Sequence, residues 1–336
     1  MVGKSFNSKG EFWGLLHIRR LAMVFFCLFL AACSNTGRLQ SETVQSDSES
    51  LRSIMVTDKD DEVNFGILVM AHGGGDEWNE AVRQSMSSLA DRFPLEIAFG
   101  MADAGSIERS VRRLEAAGVE HVGVVRMFIS GESWYERTMQ ILGLQAGAPS
   151  KEEAEKIPQP RMFMPMGFWK LDTDLSFYVS EDGLADASEM DEVLVSRINS
   201  LSKEPSQEVA IIVAHGTGSD EEDSRWIEKI TERTALARAS LGLNDIKVFT
   251  LREDWREKRE LAEQDIRSYL EEAKLNGFTS LVVPFRVQGF GPYARVLEGL
   301  EYEANGMGLL PHSNVNLWIE NQAELLRQNV GSDVLD

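Results

Sequence analysis

The chain of 336 residues sets 34 Lys and Arg against 54 Asp and Glu, a formal charge of −20, and contains two cysteines. That length supports two domains of ordinary size, and the acidic balance argues against nucleic acid or an anionic membrane surface as a partner. Cys27 lies in an apolar leader and Cys33 directly after it, so no thiol remains for a disulfide, a cysteine-ligated metal or redox chemistry.

In residues 1–32, Lys4, Arg19 and Arg20 precede the apolar run LAMVFFCLFL at 21–30. That run is shorter than the about 20 residues needed to span a bilayer. A basic region, a short apolar core and the small residues Ala31 and Ala32 mark an export signal. Leu30-Ala31-Ala32-Cys33 resembles the bacterial lipobox. The resemblance implies lipidation at Cys33 and a lipid-anchored place in the cell envelope, at the outer membrane facing the periplasm. Mass spectrometry of the native amino terminus checks this: a lipidated Cys33 as first residue is expected, and an intact Met1 refutes it. Residues 33–63, rich in Ser, Asp and Glu without period, read as a disordered tether.

The first domain, 64–150, reads as alternating strands and helices. A strand over Ile67, Leu68, Val69 and Met70 ends in Ala71-His72-Gly73, and a helix follows at 77–93, with Trp78, Val82, Met86 and Leu89 near helical spacing. A short strand follows at 95–99, then a helix at 106–117 capped by Ser106 and closed by Gly118, then a strand at 121–128. The polar, proline-bounded stretch 145–160 reads as a linker. The second domain, 161–330, repeats the plan. A strand is expected at 162–166, a helix at 187–201, and a central strand at 209–214. A helix at 224–241, a strand at 247–251, a long helix at 255–275 and a strand at 280–285 follow, with a terminal helix at 315–330. Such alternation predicts an α/β fold of two similar domains, each a parallel sheet with helices on both faces.

The internal repeat carries the chemistry. NFGILVMAHGGG and EVAIIVAHGTG place His72 and His215 at the carboxyl ends of equivalent strands, 143 positions apart (215 − 72). Open parallel sheets put their ligand crevices at that edge, so one cleft shared by both imidazoles is expected. Imidazole suits Fe²⁺, Co²⁺, Ni²⁺ and Zn²⁺ and accepts protons near neutral pH. Glu132 and Glu253, each following a strand, are candidate carboxylates. Glycines at 73–75, 216, 218, 289 and 291 let backbone approach a ligand closely, and Trp134, Trp169, Phe290 and Tyr293 are candidate stacking partners.

The strand-Ala-His-Gly-Thr-Gly pattern, followed by a strand ending in Pro284-Phe285-Arg286-Val287-Gln288-Gly289, resembles the class II tetrapyrrole chelatases, the sirohydrochlorin cobaltochelatases and ferrochelatases, over about 64–330. The resemblance implies two chelatase-like halves around a flat macrocycle and a lyase that inserts Co²⁺ or Fe²⁺ as substrate. His215, His72 and Glu253 would be catalytic and His215, His72 and Glu132 metal-binding. Gly216, Gly218, Gly289, Gly291 and Tyr293 would lie against the tetrapyrrole. The family carries a second histidine in the loop after the later strand. This chain has Gly291-Pro292-Tyr293 there in one half, and Glu132 and Trp134 in the other. Two functions therefore stand at this point, a chelatase and a non-catalytic tetrapyrrole- or metal-binding lipoprotein.

Overall fold

The computed structural model describes residues 64–156 and 166–333; the leader, Cys33, the 33–63 tether and nearly all of the expected strand at 162–166 lie outside them. Within the described residues, alternation in the apolar runs decides which face each side chain takes. β1 (Phe65–Ala71) is buried along its whole length. Ile67 and Val69 enter one core and Leu68 and Met70 another, as a strand covered by helices on both faces requires. β2 (Leu95–Phe99) and β3 (His121–Met127) flank β1 in parallel, and β4 (Ser176–Val179) adds to β3. In the second half β5 (Glu208–Ala214) lies between β6 (Asp245–Thr250) and β7 (Thr279–Phe285), again in parallel. The fold is α/β with two parallel sheets, of order β2-β1-β3-β4 and β6-β5-β7.

Three cores follow from this layering. Helix Ala104–Ala116 covers one face of the first sheet through Ile107, Val111 and Leu114. Helix Arg256–Leu275 covers one face of the second through Ile266 and Leu270. The third core is continuous between the sheets: it takes Ile67 and Val69 of β1, Ala210 and Ile212 of β5, Met190, Val193 and Leu194 of helix Glu189–Asn199, and Val315, Trp318 and Ile319 of the terminal helix Ser313–Asp333. That terminal helix packs on β3, on β4 and on helix Glu189–Asn199. β4 and the terminal helix both fall in the 161–330 stretch, yet they complete the first sheet.

Several helix limits depart from expectation for local reasons. The helix expected at 77–93 is two, Asp76–Gln84 and Ser87–Ala90, separated where the Ser85 hydroxyl donates to the Val82 carbonyl at 2.7 Å. Asp103, not Ser106, caps helix Ala104–Ala116; its carboxylate accepts from the Ser106 amide at 2.7 Å. The helix expected from 224 starts at Asp220, because Ser219 caps it and four acidic residues fill its first turn; it breaks at Thr234 before Ala235–Ser240. Part of the expected linker is the short helix Lys151–Lys156.

Two buried arginines hold the loops at the sheet edges. Arg126 of β3, 1% exposed, donates to the carbonyls of Ser180, Ser133, Gly131 and Glu181 at 2.7–2.9 Å. Its guanidinium lies 4.6 Å from the Tyr135 ring centroid, and burial lowers its pKa. Arg197 donates to the carbonyls of Gly308, Leu309 and Pro311 at 2.7–2.9 Å, fixing the approach to the terminal helix.

Candidate functional site

His72 and His215 each leave the carboxyl end of a central strand, after Ala71 and Ala214. Pairing makes the two halves equivalent residue by residue. Ala71 lies opposite Phe99 and Met127, and Ala214 opposite Thr250 and Phe285. Even the strained backbone repeats: two positions on from Phe99 and Thr250, Met101 and Arg252 adopt φ of 61° and 55°.

Both histidines line one cavity of about 430 Å³. Four tryptophans, Trp78, Trp134, Trp226 and Trp255, give it aromatic walls, and Met101, Met127 and Phe128 extend the apolar part. Its polar groups are few: the imidazoles, Glu132, Ser133, Thr217, Glu222, Asp254, Arg286 and Gln288. A mostly apolar cavity with convergent polar groups is what a small-molecule site requires.

The imidazoles are oriented alike. Nδ1 of His72 lies 2.8 Å from the Gly73 carbonyl, and Nδ1 of His215 lies 2.8 Å from the Gly216 carbonyl. A carbonyl only accepts, so in each ring Nδ1 is the protonated nitrogen that ties the imidazole to its own loop. This is the tautomer that metal-binding histidines take, the second nitrogen anchored on backbone. The loops themselves are tied differently. The Thr217 amide and the Thr250 hydroxyl donate to Asp223 at 3.0 and 2.7 Å, and the Arg252 Nε donates to the Thr217 carbonyl at 2.7 Å. In the first half the Gly74 amide donates to Asn79 at 3.0 Å.

The surroundings of the two imidazoles are unequal. His215 Nε2 stands 3.3 Å from an Asp254 oxygen and 4.0 Å from a Glu253 oxygen, with the Trp255 ring edge-on at 6.2 Å. A proton or a cation between the ring nitrogen and the carboxylate oxygen makes the contact favourable. Two bonds of about 2.1 Å at a tetrahedral angle span roughly 3.4 Å, so the Nε2–Asp254 spacing fits two ligands of one ion. His72 is exposed, and Ala102 and Phe128 stand where the other half has Glu253 and Arg286. Among the described residues no group of three or more His, Cys, Asp or Glu side chains is set to hold a metal.

The other expected site residues are distributed as follows. Glu132 lines the cavity, but Arg225 grips both its oxygens at 2.9 and 2.6 Å, and this hydrogen-bonded pair holds its carboxyl below the usual range. Glu253 is ion-paired with Arg286. Gly216 lines the cavity, whereas Gly218, Gly289, Gly291 and Tyr293 are not on its wall. A Cβ on Gly218 would fall 2.3 Å from the Trp255 indole nitrogen, so this glycine lets that ring lie against the loop. Tyr293 is buried, with Phe290 edge-on to it, and burial raises its pKa. Trp134 is on the wall, while Trp169 packs in the core of the first sheet under Lys151. Asp254, Arg286, Trp226 and Trp255 complete the cavity; Arg286 falls inside the strand-end pattern 284–289 without standing out there as a site residue, and the other three carry no motif. The abundance of tryptophan, seven residues in the chain, is the one compositional signal for them.

No protein-family model matches the chain, and no curated protein matches it. Among solved structures, SirB from Bacillus subtilis with Fe³⁺ aligns with a TM-score of 0.56 at 14% identity, covering 80% of this chain and 98% of its own. A multi-domain protein from Deinococcus radiodurans, described as structurally similar to chelatases with two additional domains, aligns at 15% identity and a TM-score of 0.44, covering 77% of this chain and 54% of its own. At these identities the likeness concerns the fold, and the fold is chelatase-like.

Proposed function

We propose that the protein handles a tetrapyrrole and a divalent metal, Co²⁺ or Fe²⁺, in the cavity between its sheets, and that it inserts the metal as a sirohydrochlorin chelatase does. One observation carries the reading: two equivalent imidazoles, each with Nδ1 anchored on its own loop, line one tryptophan-walled cavity. The metal is a substrate. His215 and Asp254 would hold it, leaving its other positions for pyrrole nitrogens, and flat aromatic walls suit a flat macrocycle. Insertion requires two pyrrole N–H groups to lose protons. His72 would accept one, and solvent reaching this exposed ring would take the other. The likeness in fold to SirB, a structure with Fe³⁺, supports the reading.

A second reading, binding without insertion, is favoured by the pairing of Glu132 and Glu253 with arginines. Incubating the purified protein with metal-free sirohydrochlorin and Co²⁺, followed by absorbance, separates the two. Insertion faster than the protein-free control is expected. In His215→Ala the rate and the Co²⁺ affinity should fall on the order of tenfold or more, by analogy with the 10–100-fold that even partners behind the ligands cost; His72→Ala should do less to affinity. Uptake of the macrocycle with no acceleration selects the binding role. No uptake at all and unchanged Co²⁺ affinity in His215→Ala refute both.

A further inference from the structure

Arg286 is the cavity's single Lys or Arg side chain among the described residues that line it. It follows β7 directly, level with His215 because Phe285 pairs with Ala214. One guanidinium nitrogen donates to Glu253 Oε1, and the other oxygen of that carboxylate faces His215 Nε2 at 4.0 Å. The Glu253 side chain is 12% exposed, so water screens its pairing with the guanidinium only in part. The guanidinium also takes up the volume that a side chain at 291 would need: a Cβ on Gly291 would fall 2.8 Å from Arg286 Cζ and Nε. It lies 5.8 Å from the Tyr293 ring centroid. The equivalent positions of the first half hold Phe128 and Ala102, so this pair has no counterpart beside His72.

We propose that Arg286 is a specificity switch that holds the cation place beside His215, pairing with Glu253 while the cavity is empty and with a carboxylate of the macrocycle when it is filled. The guanidinium charge on Oε1 offsets the carboxylate and repels a second cation arriving at Oε2. A free metal ion therefore meets His215 and Asp254 with little help from Glu253. A ligand that arrives with its own carboxylates offers the guanidinium a bidentate partner in a water-poor site. Arg286 then leaves Glu253, and that carboxylate becomes the third group facing the ion. The order imposed is anionic ligand first and metal second, which keeps the site from filling with free metal. This inference rests on the reading of His215 as a metal ligand.

The test compares the full chain with Arg286→Gln, using Co²⁺ alone by calorimetry and a metal-free octacarboxylate porphyrin by quenching of the cavity tryptophans. The two affinities are expected to move in opposite directions: Co²⁺ tighter and the porphyrin weaker, each by on the order of tenfold, the scale of one charge-assisted contact. In Arg286→Gln/Glu253→Gln the gain for Co²⁺ should disappear. Arg286→Lys keeps the charge and should bind Co²⁺ no better than the parent. Circular dichroism checks folding, and Arg286→Met serves where Gln does not fold. Co²⁺ affinity that fails to rise, or that rises as much in the Lys variant, overturns the switch. His215→Ala separates the two failures: if it leaves Co²⁺ affinity unchanged, the metal reading is at fault. If it lowers the affinity while Arg286→Gln gains nothing, only the switch is lost.

Discussion

Replacing Arg126 by leucine is expected to destabilise the fold by about 3–5 kcal/mol, because several buried carbonyl acceptors lose their donor at once. Leucine fills part of the volume but supplies none of the donors. The carbonyls of Ser133, Gly131, Ser180 and Glu181 would be left without their guanidinium partner, at about 1–3 kcal/mol for each that stays dry. The loops carrying Glu132 and Trp134 on one side and Asp182 and Asp186 on the other would lose their common tie. Arg126→Lys should recover little, since an ammonium cannot reach four carbonyls in fork geometry. Urea unfolding measures the loss through a lower midpoint at unchanged slope. A shift worth less than about 1 kcal/mol would mean that the loops are held by other contacts.

Gly216→Ala is expected to cost roughly 2–5 kcal/mol and to damage the site as well. Gly216 has φ of +78°, a conformation that costs an L-residue about 1–2 kcal/mol. Its added Cβ would also fall 2.7 Å from Thr250 Cβ and 2.8 Å from Asp223 Oδ1, an overpacking typically worth about 1–3 kcal/mol. Relief by backbone movement displaces the carbonyl on which His215 Nδ1 is anchored, so Co²⁺ affinity should drop on the order of tenfold in protein that is still folded. Gly289→Ala is the control: its φ is +74°, but nothing lies within 4 Å of the place its Cβ would take, so only the dihedral cost is expected. Chemical denaturation and calorimetry on both variants make the comparison. Equal losses would show that Thr250 and Asp223 give way freely.

The repeat made the positions of the central strands and their histidines legible in the sequence, because a β-branched apolar run ending in His-Gly has few structural alternatives. The flanking strands at 95–99 and 280–285 were legible as short apolar runs set between helical patterns. β4 was not: Ser176-Phe177-Tyr178-Val179 is short, sits at an edge and lacks a period to detect. Helix limits depended on single hydrogen bonds, Ser219 to the Glu222 amide and Asp103 to the Ser106 amide, which periodicity does not see. The cavity wall was the least legible part. Arg225 meets Glu132 across 93 residues, and Arg286 meets Glu253 across 33. The first pair is set by how the two sheets face one another and the second by how β6 and β7 flank β5, and no local spacing announces either. Glu132 and Glu253 looked like free carboxylates for that reason.

The return of the terminal helix to the first sheet makes the two halves one folding unit. Val315, Trp318 and Ile319 cover apolar surface that β1 and β3 present from the start. From the end of β3 at Met127 to the start of the helix at Ser313, 186 residues (313 − 127) must still be made. At about 5–20 residues per second this takes roughly 10–40 s. Throughout that interval a nascent chain carries an unfinished sheet with a bare apolar face, and it cannot lock into its native form before its last segment is free. A polypeptide built this way stays open until it is complete.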